Sequence, residues 1–309
     1  MKTSISPAKI GIGVVVLAIA LAPLLVGRFA TTLLIEIGIS TLVALGLVLL
    51  TGVGGAISFG QAAFVGIAAY ATAWLTTTYA LSPWLGLVFA LLLTGLAALV
   101  IGWITLNLGG HFLAISTIAW GIAIPLLFAN LDSLGSHTGL SGLKPVSVAG
   151  FSLQAPERMY YLVWLCVGGA FLFSHNLLNS RLGRAIRGLR GGESFLGSVG
   201  ANAFRVRLAV FVIAALYAGL AGWLYAHANR YVSPTPFGVD ASIEYLLMAV
   251  IGGLGSLAGA LIGSSVVLLL KDAIQDVLPL ITRQGAQLDA VVFALLFILL
   301  MHFARTGLY

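Results

Sequence analysis

Charge is what this sequence has least of. Charged residues occupy 8% of its 309 positions, whereas a soluble domain carries about 25%. Hydrophobic residues occupy 60%. A chain this apolar cannot keep its outer surface in water, so lipid must be its solvent. The composition therefore excludes a soluble domain and predicts an integral membrane protein.

Cysteine and phosphate-binding motifs are also scarce or missing. The single cysteine, Cys166, excludes an internal disulfide, and its position in an apolar run predicts a packing role. No lysine follows a glycine anywhere, which excludes the G-x-x-x-x-G-K-[ST] loop that holds nucleotide phosphates. A G-x-G-x-x-A match at Gly253–Ala258 lies in an apolar segment without a βαβ context, so it predicts no dinucleotide site. The chain is therefore expected to hold no nucleotide or other cofactor.

Candidate catalytic and ion-coupling residues are few. The five histidines show no metal-ligand spacing, and no Ser/His/Asp arrangement stands out, so no enzyme is predicted. Ion-coupled carriers usually place Asp, Glu or His inside the membrane. Here only Glu36, His175 and Glu244 come close, and each lies within a few residues of the end of an apolar segment. Any uphill transport is therefore expected to draw its energy from another protein.

Long apolar segments are abundant. A helix needs about 20 residues to cross roughly 30 Å of hydrocarbon, and about ten segments approach that length. They are Ile10–Val26, Leu33–Leu50, Ala62–Tyr79, Trp84–Leu106, Phe112–Ala129, Tyr160–Leu178, Leu208–Ala226, Ile243–Leu254, Leu257–Leu270 and Leu288–Phe303. The first resembles a signal peptide, but no cleavage pattern follows at Gly27–Phe29, so we interpret it as a membrane helix. The eighth and ninth are short and separated by glycines, which indicates two half-helices or one broken helix.

Basic residues are concentrated in one loop at about 179–207, called here the arginine loop. The loop has one acidic residue, Glu193. It holds six of the fifteen basic residues of the chain: Arg181, Arg184, Arg187, Arg190, Arg205 and Arg207. Short loops rich in Lys and Arg stay in the cytoplasm. Six predicted crossings separate this loop from Lys2 and Lys9, so both signals predict a cytoplasmic N-terminus. Membrane orientation explains the net charge of +6, and no nucleic-acid partner is predicted.

A short helix is predicted inside the arginine loop. Glu193 suits the positive N-terminal end of a helix, Gly200 suits its C-terminal cap, and Asn202 can cap the helix that follows. Its apolar residues are Phe195, Leu196 and Val199. Such a helix could fill a groove on another protein or lie on anionic headgroups, and the residues alone leave both open.

Two glycine-rich segments, Thr51–Gly60 and Ile251–Gly259, interrupt the helices. Unsatisfied peptide groups cannot face lipid, so these segments must be buried in protein or line a cavity. Interrupted segments at corresponding positions of two halves are typical of transporters built from repeats, with the pathway near the interruptions. Close helix packing is the alternative, because small residues recur every fourth position at Gly255, Gly259 and Gly263.

A pathway through the interruptions would place small side chains and free backbone groups near the solute. The residues expected there are Gly55, Ser58, Gln61, Gly253 and Ser256. Glycine admits close approach, and helix ends can offer amides to the carboxylate of a zwitterion.

Several ordered motifs resemble one known family. They are Ser58–Phe64 with Gly66, Ala69 and Tyr70; His111–Thr117; Thr138–Leu140; Arg181–Arg187 with Glu193 and Gly200; Phe211–Gly222; and Ile251–Ser256. Together they run from roughly Leu33 to the C-terminus and resemble permease subunits of branched-chain amino-acid ABC importers, of the LivM type.

The resemblance implies a single transmembrane permease domain over residues 1–309, in the bacterial cytoplasmic membrane. It implies a second permease subunit of similar fold, two cytoplasmic ATPases that bind ATP, and a periplasmic or extracellular substrate-binding protein. It also implies that the helix around Glu193–Gly200, with Arg184 nearby, is the coupling helix docked on an ATPase.

The chain departs from the family pattern at Ala56, Gln61, Thr138 and the pair Ile122 and Ala123. These positions lie in segments that could face the pathway. Urea, short amides and other small acids therefore stay alternative solutes, and an ion-coupled secondary carrier is the rival mechanism.

Overall fold

The computed structural model describes residues 19, 22, 23, 25–107, 110–148, 150–198 and 200–281. The last predicted segment, Leu288–Phe303, lies outside the described residues, and so does most of the first, Ile10–Val26.

Helices dominate the described chain. They are α1 Arg28–Leu47, α2 Gln61–Thr78, α3 Pro83–Thr105, α4 Gly110–Asn130, α5 Pro156–Asn179, α6 Arg181–Gly188, α7 Glu193–Ser198, α8 Ala203–Asn229, α9 Val239–Gly252 and α10 Leu257–Ile281. A π-helical turn, Val48–Val53, extends α1. Each apolar segment predicted within the described residues coincides with one of these helices. The largest difference is at α10, which continues eleven residues beyond the predicted end at Leu270.

Six helices of the described residues are long and apolar enough to cross a membrane. They are Arg28–Val53, Pro83–Thr105, Phe112–Asn130, Pro156–Asn179, Ala203–Asn229 and Leu257–Asp276. Helix α2 is less apolar because it carries Gln61 and several threonines, and α9 has only 14 residues. The chain is thus an all-α membrane protein with multiple crossings.

Helix α2 is the central element, packed between α3 and α8. Small residues let the backbones approach, as is usual where membrane helices touch. A Cβ atom at Gly222 of α8 would overlap the carbonyl oxygen of Val65, and one at Gly86 of α3 would overlap the Thr72 hydroxyl. Because α2 is surrounded by protein, it does not need the apolar outer face of a helix in lipid.

Four short strands build a cap at one end of the bundle. Strand β1 (Leu140–Ser141) pairs with β4 (Tyr231–Val232), and β2 (Ser147–Val148) pairs with β3 (Phe151–Ser152), both antiparallel.

Side-chain donors tie this cap to the helix ends. The Lys144 Nζ donates to the carbonyl oxygen of Ala80 at 2.8 Å, and the Trp84 Nε1 donates to that of Ser147 at 2.8 Å. Helix α5 runs from the cap to the arginine loop, so the two lie at opposite ends of the bundle.

Candidate functional site

The first helix break spans Gly54–Gly60, between the π-helical turn and α2. Gly55 is exposed and has φ +73°, a conformation that other residues rarely adopt. The Thr51 hydroxyl donates to the carbonyl oxygen of Ala56 at 3.0 Å, and the Ala56 amide donates to that of Leu50 at 3.1 Å. Local hydrogen bonds therefore satisfy several polar groups of this turn, as burial within a membrane protein favours.

The second break, Gly253–Ser256, joins α9 to α10. Gly253 is buried at φ +107°, and the Ser256 amide donates to its carbonyl oxygen at 3.2 Å. The Ser256 hydroxyl is half-buried and accepts from the Gly259 amide at 3.4 Å, which caps the start of α10. A Cβ at Gly259 would overlap the Gly252 carbonyl, and one at Gly263 would overlap that of Met248. Residues further along α10 therefore contact residues earlier in α9. The two helices form an antiparallel hairpin rather than one broken helix.

The glycine contacts also decide part of the packing question. The packing interpretation is confirmed for Gly259 and Gly263, which touch the backbone of α9. It is wrong for Gly255, because a Cβ there would meet no atom within 4 Å.

The two breaks meet. A Cβ at Gly52, just before the first break, would overlap the carbonyl oxygen of Leu254 in the second. The Ala62 amide at the start of α2 donates to the Ser242 hydroxyl of α9 at 3.0 Å, and the Phe59 amide donates to the Thr117 hydroxyl of α4 at 3.1 Å. The end of α1 therefore meets the second break, whereas the start of α2 packs beside α4 and the first turn of α9, at the other end of that helix.

Gln61, at the start of α2, has a buried side-chain amide without a hydrogen-bond partner. Its side chain is 0% exposed, and neither its Nε2 nor its Oε1 has a hydrogen-bond partner. A buried polar group without a partner costs roughly 1–3 kcal/mol, so such a residue needs an explanation. Ser58, also buried, accepts from the Gly60 amide at 3.5 Å. Sequence reasoning selected both residues for the pathway but could not foresee that only one would lack a partner.

The arginine loop folds largely as predicted. Helix α7 begins at Glu193 after Gly192 at φ +93°, and Gly200 follows it at φ +75°. The Asn202 Oδ1 accepts from the Arg205 amide at 3.1 Å, so the predicted cap of α8 is confirmed. The side chain of Glu193 lies outside the described part of the chain.

Two features of the loop were missed from the sequence. Helix α6 precedes α7, and the signal was Ser180, whose hydroxyl accepts from the Gly183 amide at 3.3 Å as an N-cap. Leu196 was expected to face a partner, but it is 3% exposed and packs within its own subunit. Arg184 is exposed.

The arginine loop lies against the first break. The Cγ of Arg190 lies 4.0 Å from the position that a Cβ on Gly55 would occupy, so the two residues are neighbours although glycine itself has no such atom. Arg190 of the loop therefore lies near Gly55 of the first break, and Gly52, three residues earlier, packs against Leu254 of the second break.

One ion pair joins α9 to α10. The Lys271 Nζ of α10 donates to both carboxylate oxygens of Glu244 of α9 at 2.9 Å. The pair brings Glu244, one of the three ionisable residues near the end of an apolar segment, into contact with a cation beyond the predicted end of α10 at Leu270. His227 is also a packing residue, since its ring bonds the Thr72 hydroxyl at 3.2 Å and the Lys144 carbonyl at 3.1 Å. Within the described residues, no group of three or more His, Cys, Asp and Glu is placed to hold a metal ion.

Comparison with known proteins gives the family. A family model for the permease component of branched-chain amino acid transport systems matches residues 29–301. The high-affinity branched-chain amino acid transport system permease protein LivM of Salmonella typhimurium is 30% identical over 285 residues, covering 84% of this chain and 67% of the relative. LivM of Escherichia coli K12 is 30% identical over 289 residues, covering 86% and 68%. The permease protein LivH of Salmonella typhimurium is 28% identical over 181 residues, covering 58% and 53%.

No solved structure matches the chain. The family model covers most of the sequence, including both breaks and the arginine loop. The chain belongs to the family of permease components of branched-chain amino acid transport systems.

Proposed function

We propose that this chain is the membrane-spanning permease subunit of a binding-protein-dependent ABC importer for branched-chain amino acids. It has no catalytic residues and no cofactor of its own, and ATP is hydrolysed on partner subunits. The observation that carries the proposal is that Arg190 of the arginine loop lies near Gly55 of the first break, while Gly52, just before that break, packs against Leu254 of the second. Through these residues, a movement of the arginine loop driven by the ATPases can displace the helix breaks.

The whole chain, 1–309, forms one permease domain with about ten crossings in two related halves. The count includes the six long helices, α2, α9 and the two apolar segments outside the described residues. Each half contributes one break, after α1 and after α9. The partners are a second permease of similar fold, two cytoplasmic ATPases and an extracytoplasmic binding protein. The names LivM and LivH of the relatives support a system with two different permeases.

Within this arrangement, the arginine loop at about 179–207 couples the subunit to an ATPase. Arg184 contacts the partner, Leu196 anchors α7 to the permease, and Glu193 and Gly200 define the ends of that helix. When the ATPases close, α7 and the preceding turn move together, and Arg190 transmits the displacement to Gly55. The second break follows because Gly52 touches Leu254.

The solute pathway passes the two breaks. Small residues keep it open there, namely Gly55, Ser58, Gly253 and Ser256. The positive end of the α2 dipole attracts the solute carboxylate, and the Gln61 side-chain amide supplies a donor and an acceptor. Few groups hold the solute, so it binds weakly and leaves easily.

Uptake by the reconstituted complex tests this function. Proteoliposomes with this chain, its second permease, both ATPases and the binding protein should accumulate labelled leucine only with ATP inside. Excess isoleucine or valine should compete, whereas urea and acetamide should not. Competition by urea alone would move the substrate to the small amides. Uptake that follows an ion gradient without ATP would support the secondary carrier instead.

The subunit lies in the cytoplasmic membrane with its N-terminus and arginine loop inside. Orientation can be measured with cysteines at Ser194 in the loop and at Ser141 in the cap, each in a Cys166→Ala background. A membrane-impermeant thiol reagent added outside intact cells should label Ser141→Cys and spare Ser194→Cys until the cells are opened. Labelling of both from outside would refute this topology.

A further inference from the structure

Four arginines form one exposed ridge along α6 and the turn after it. Arg181, Arg184, Arg187 and Arg190 are all exposed, and they follow one another at every third position. The residues on the opposite side, Gly183, Ile186 and Leu189, are all buried. We call the four residues the arginine ridge.

The helix type decides how the four arginines are spread. In an α-helix of 3.6 residues per turn, a step of three residues falls about 60° short of a full turn, so Arg181 and Arg187 lie about 120° apart around α6. The last turn, Leu189–Gly191, is a 3₁₀-helix, which has about 3.0 residues per turn, so Arg190 stays close to the direction of Arg187. The ridge is therefore a broad exposed face of the loop rather than a single line.

The ridge also packs against the end of a spanning helix. A Cβ at Gly183 would overlap the carbonyl oxygens of Leu177 and Leu178 at the end of α5, so α6 packs closely against that end. The Arg187 Nη2 donates to the Leu178 carbonyl at 2.8 Å. In the described part of the chain, Arg181, Arg184 and Arg190 have no ion pair and no side-chain hydrogen bond. Three exposed guanidinium groups are therefore available to bind a partner.

We propose that the arginine ridge is a docking surface for acidic residues of the cytoplasmic ATPase, so that electrostatics holds the two subunits together. The inference rests on the proposed function and names the chemistry of that interface. Leu196 of α7 is buried in its own subunit, so that side chain cannot supply an apolar anchor to the ATPase. The ridge uses only arginine, whose planar fork matches carboxylates in two-point contacts, whereas anionic lipid attracts lysine and arginine alike.

The ridge also has a route to the pathway, because its last member, Arg190, lies beside Gly55 of the first break. A load applied to the ridge by the ATPase is thereby delivered where the helices are interrupted. A lipid headgroup on the same arginines would exert no comparable load.

Affinity measurements on the permease pair in nanodiscs test the ridge. Binding of purified ATPase should be measured in pure phosphatidylcholine at low and high NaCl, for the wild type and for an Arg181→Gln/Arg184→Gln variant. The variant should bind on the order of tenfold more weakly at low salt, and its affinity should depend less on salt. The matched control is Arg158→Gln, which removes an exposed arginine from the opposite end of the bundle and should leave the affinity unchanged.

Each other result is decisive. Equal affinity and equal salt dependence in the variant would overturn the ridge while leaving the importer function intact. A defect that appears only with phosphatidylglycerol in the nanodisc would assign the ridge to lipid and overturn the proposal. Failure of the wild type to bind any ATPase would overturn both the ridge and the proposed function.

Discussion

We expect a Leu196→Asn variant to assemble with its ATPases and hydrolyse ATP, yet to move almost no solute. Helix α7 has six residues, far below the roughly 12–15 at which an isolated helix becomes stable. Its position therefore depends on the packing of Leu196, which is 3% exposed. Truncating such a side chain costs about 2–5 kcal/mol, and a buried amide adds to that cost. Helix α7 should no longer pack in its position on the permease, and ATP hydrolysis should no longer move the helix breaks.

The measurement is leucine uptake and ATPase activity on the same proteoliposomes. Uptake should fall at least about tenfold, since a factor of ten corresponds to 1.4 kcal/mol of lost coupling. Gly197→Asn is the matched control, because Gly197 is exposed on the same helix and a Cβ there would meet no atom within 4 Å. Normal uptake in the Leu196 variant would remove α7 from the coupling route. An equal loss in the Gly197 control would show that coupling depends on the exposed side of α7 and not on the packing of Leu196.

Gly200 gives an independent test of the same helix. Its φ of +75° is left-handed, and a side chain in that conformation costs about 1–2 kcal/mol. A Gly200→Val variant should therefore resemble Leu196→Asn, although it changes the backbone at the end of α7 and leaves the Leu196 side chain in place. A Glu193→Gln variant should weaken coupling less, because it alters only the interaction of a charge with a helix end.

The helices and the caps of the arginine loop could be predicted because their signals are local. An apolar segment of sufficient length has few structural options in a membrane, so the described segments coincide with helices. Gly200 and Asn202 could be placed because a left-handed residue and an N-cap are properties of the residue and its immediate neighbours.

Long-range packing could not be predicted in the same way. The end of α10 was placed too early because Lys271 signals water, and only the fold brings Glu244 within 2.9 Å of it. Leu196 was assigned to a partner because its helix is amphipathic, and the sequence does not say which protein an apolar face will meet. Gly255 and Gly259 both belong to a run in which a small residue recurs at every fourth position. Only Gly259 of these two packs against the neighbouring helix.

In the candidate site too, local signals could be predicted and long-range contacts could not. Both breaks were visible as glycine-rich runs, but their contact at Gly52 and Leu254 joins residues about two hundred positions apart and depends on the whole topology. Selection of Gln61 as a pathway residue stays a prediction. Its burial without partners is a new reason to test it.

Gln61→Met is therefore expected to keep or raise the stability of the assembled complex while removing transport. Methionine is also unbranched and apolar, so the replacement deletes two buried polar atoms that have no partner. Leaving such atoms unpaired costs roughly 1–3 kcal/mol each, and their removal should raise the Tm. If the amide meets the solute during each cycle, uptake should nevertheless fall by at least about tenfold, in line with the loss of one good hydrogen bond to a charged group.

Thr94→Val is the matched control for this experiment. The Thr94 hydroxyl on α3 is likewise buried without a partner, but it packs against Gly219 of α8, away from both breaks. This variant should raise the Tm in the same way and leave uptake unchanged. Unchanged uptake in Gln61→Met would remove Gln61 from the pathway. A lower Tm in Gln61→Met would mean that its amide is bonded in the working complex and has a structural role. Only the combination of retained stability and lost uptake assigns the unpaired amide to the solute.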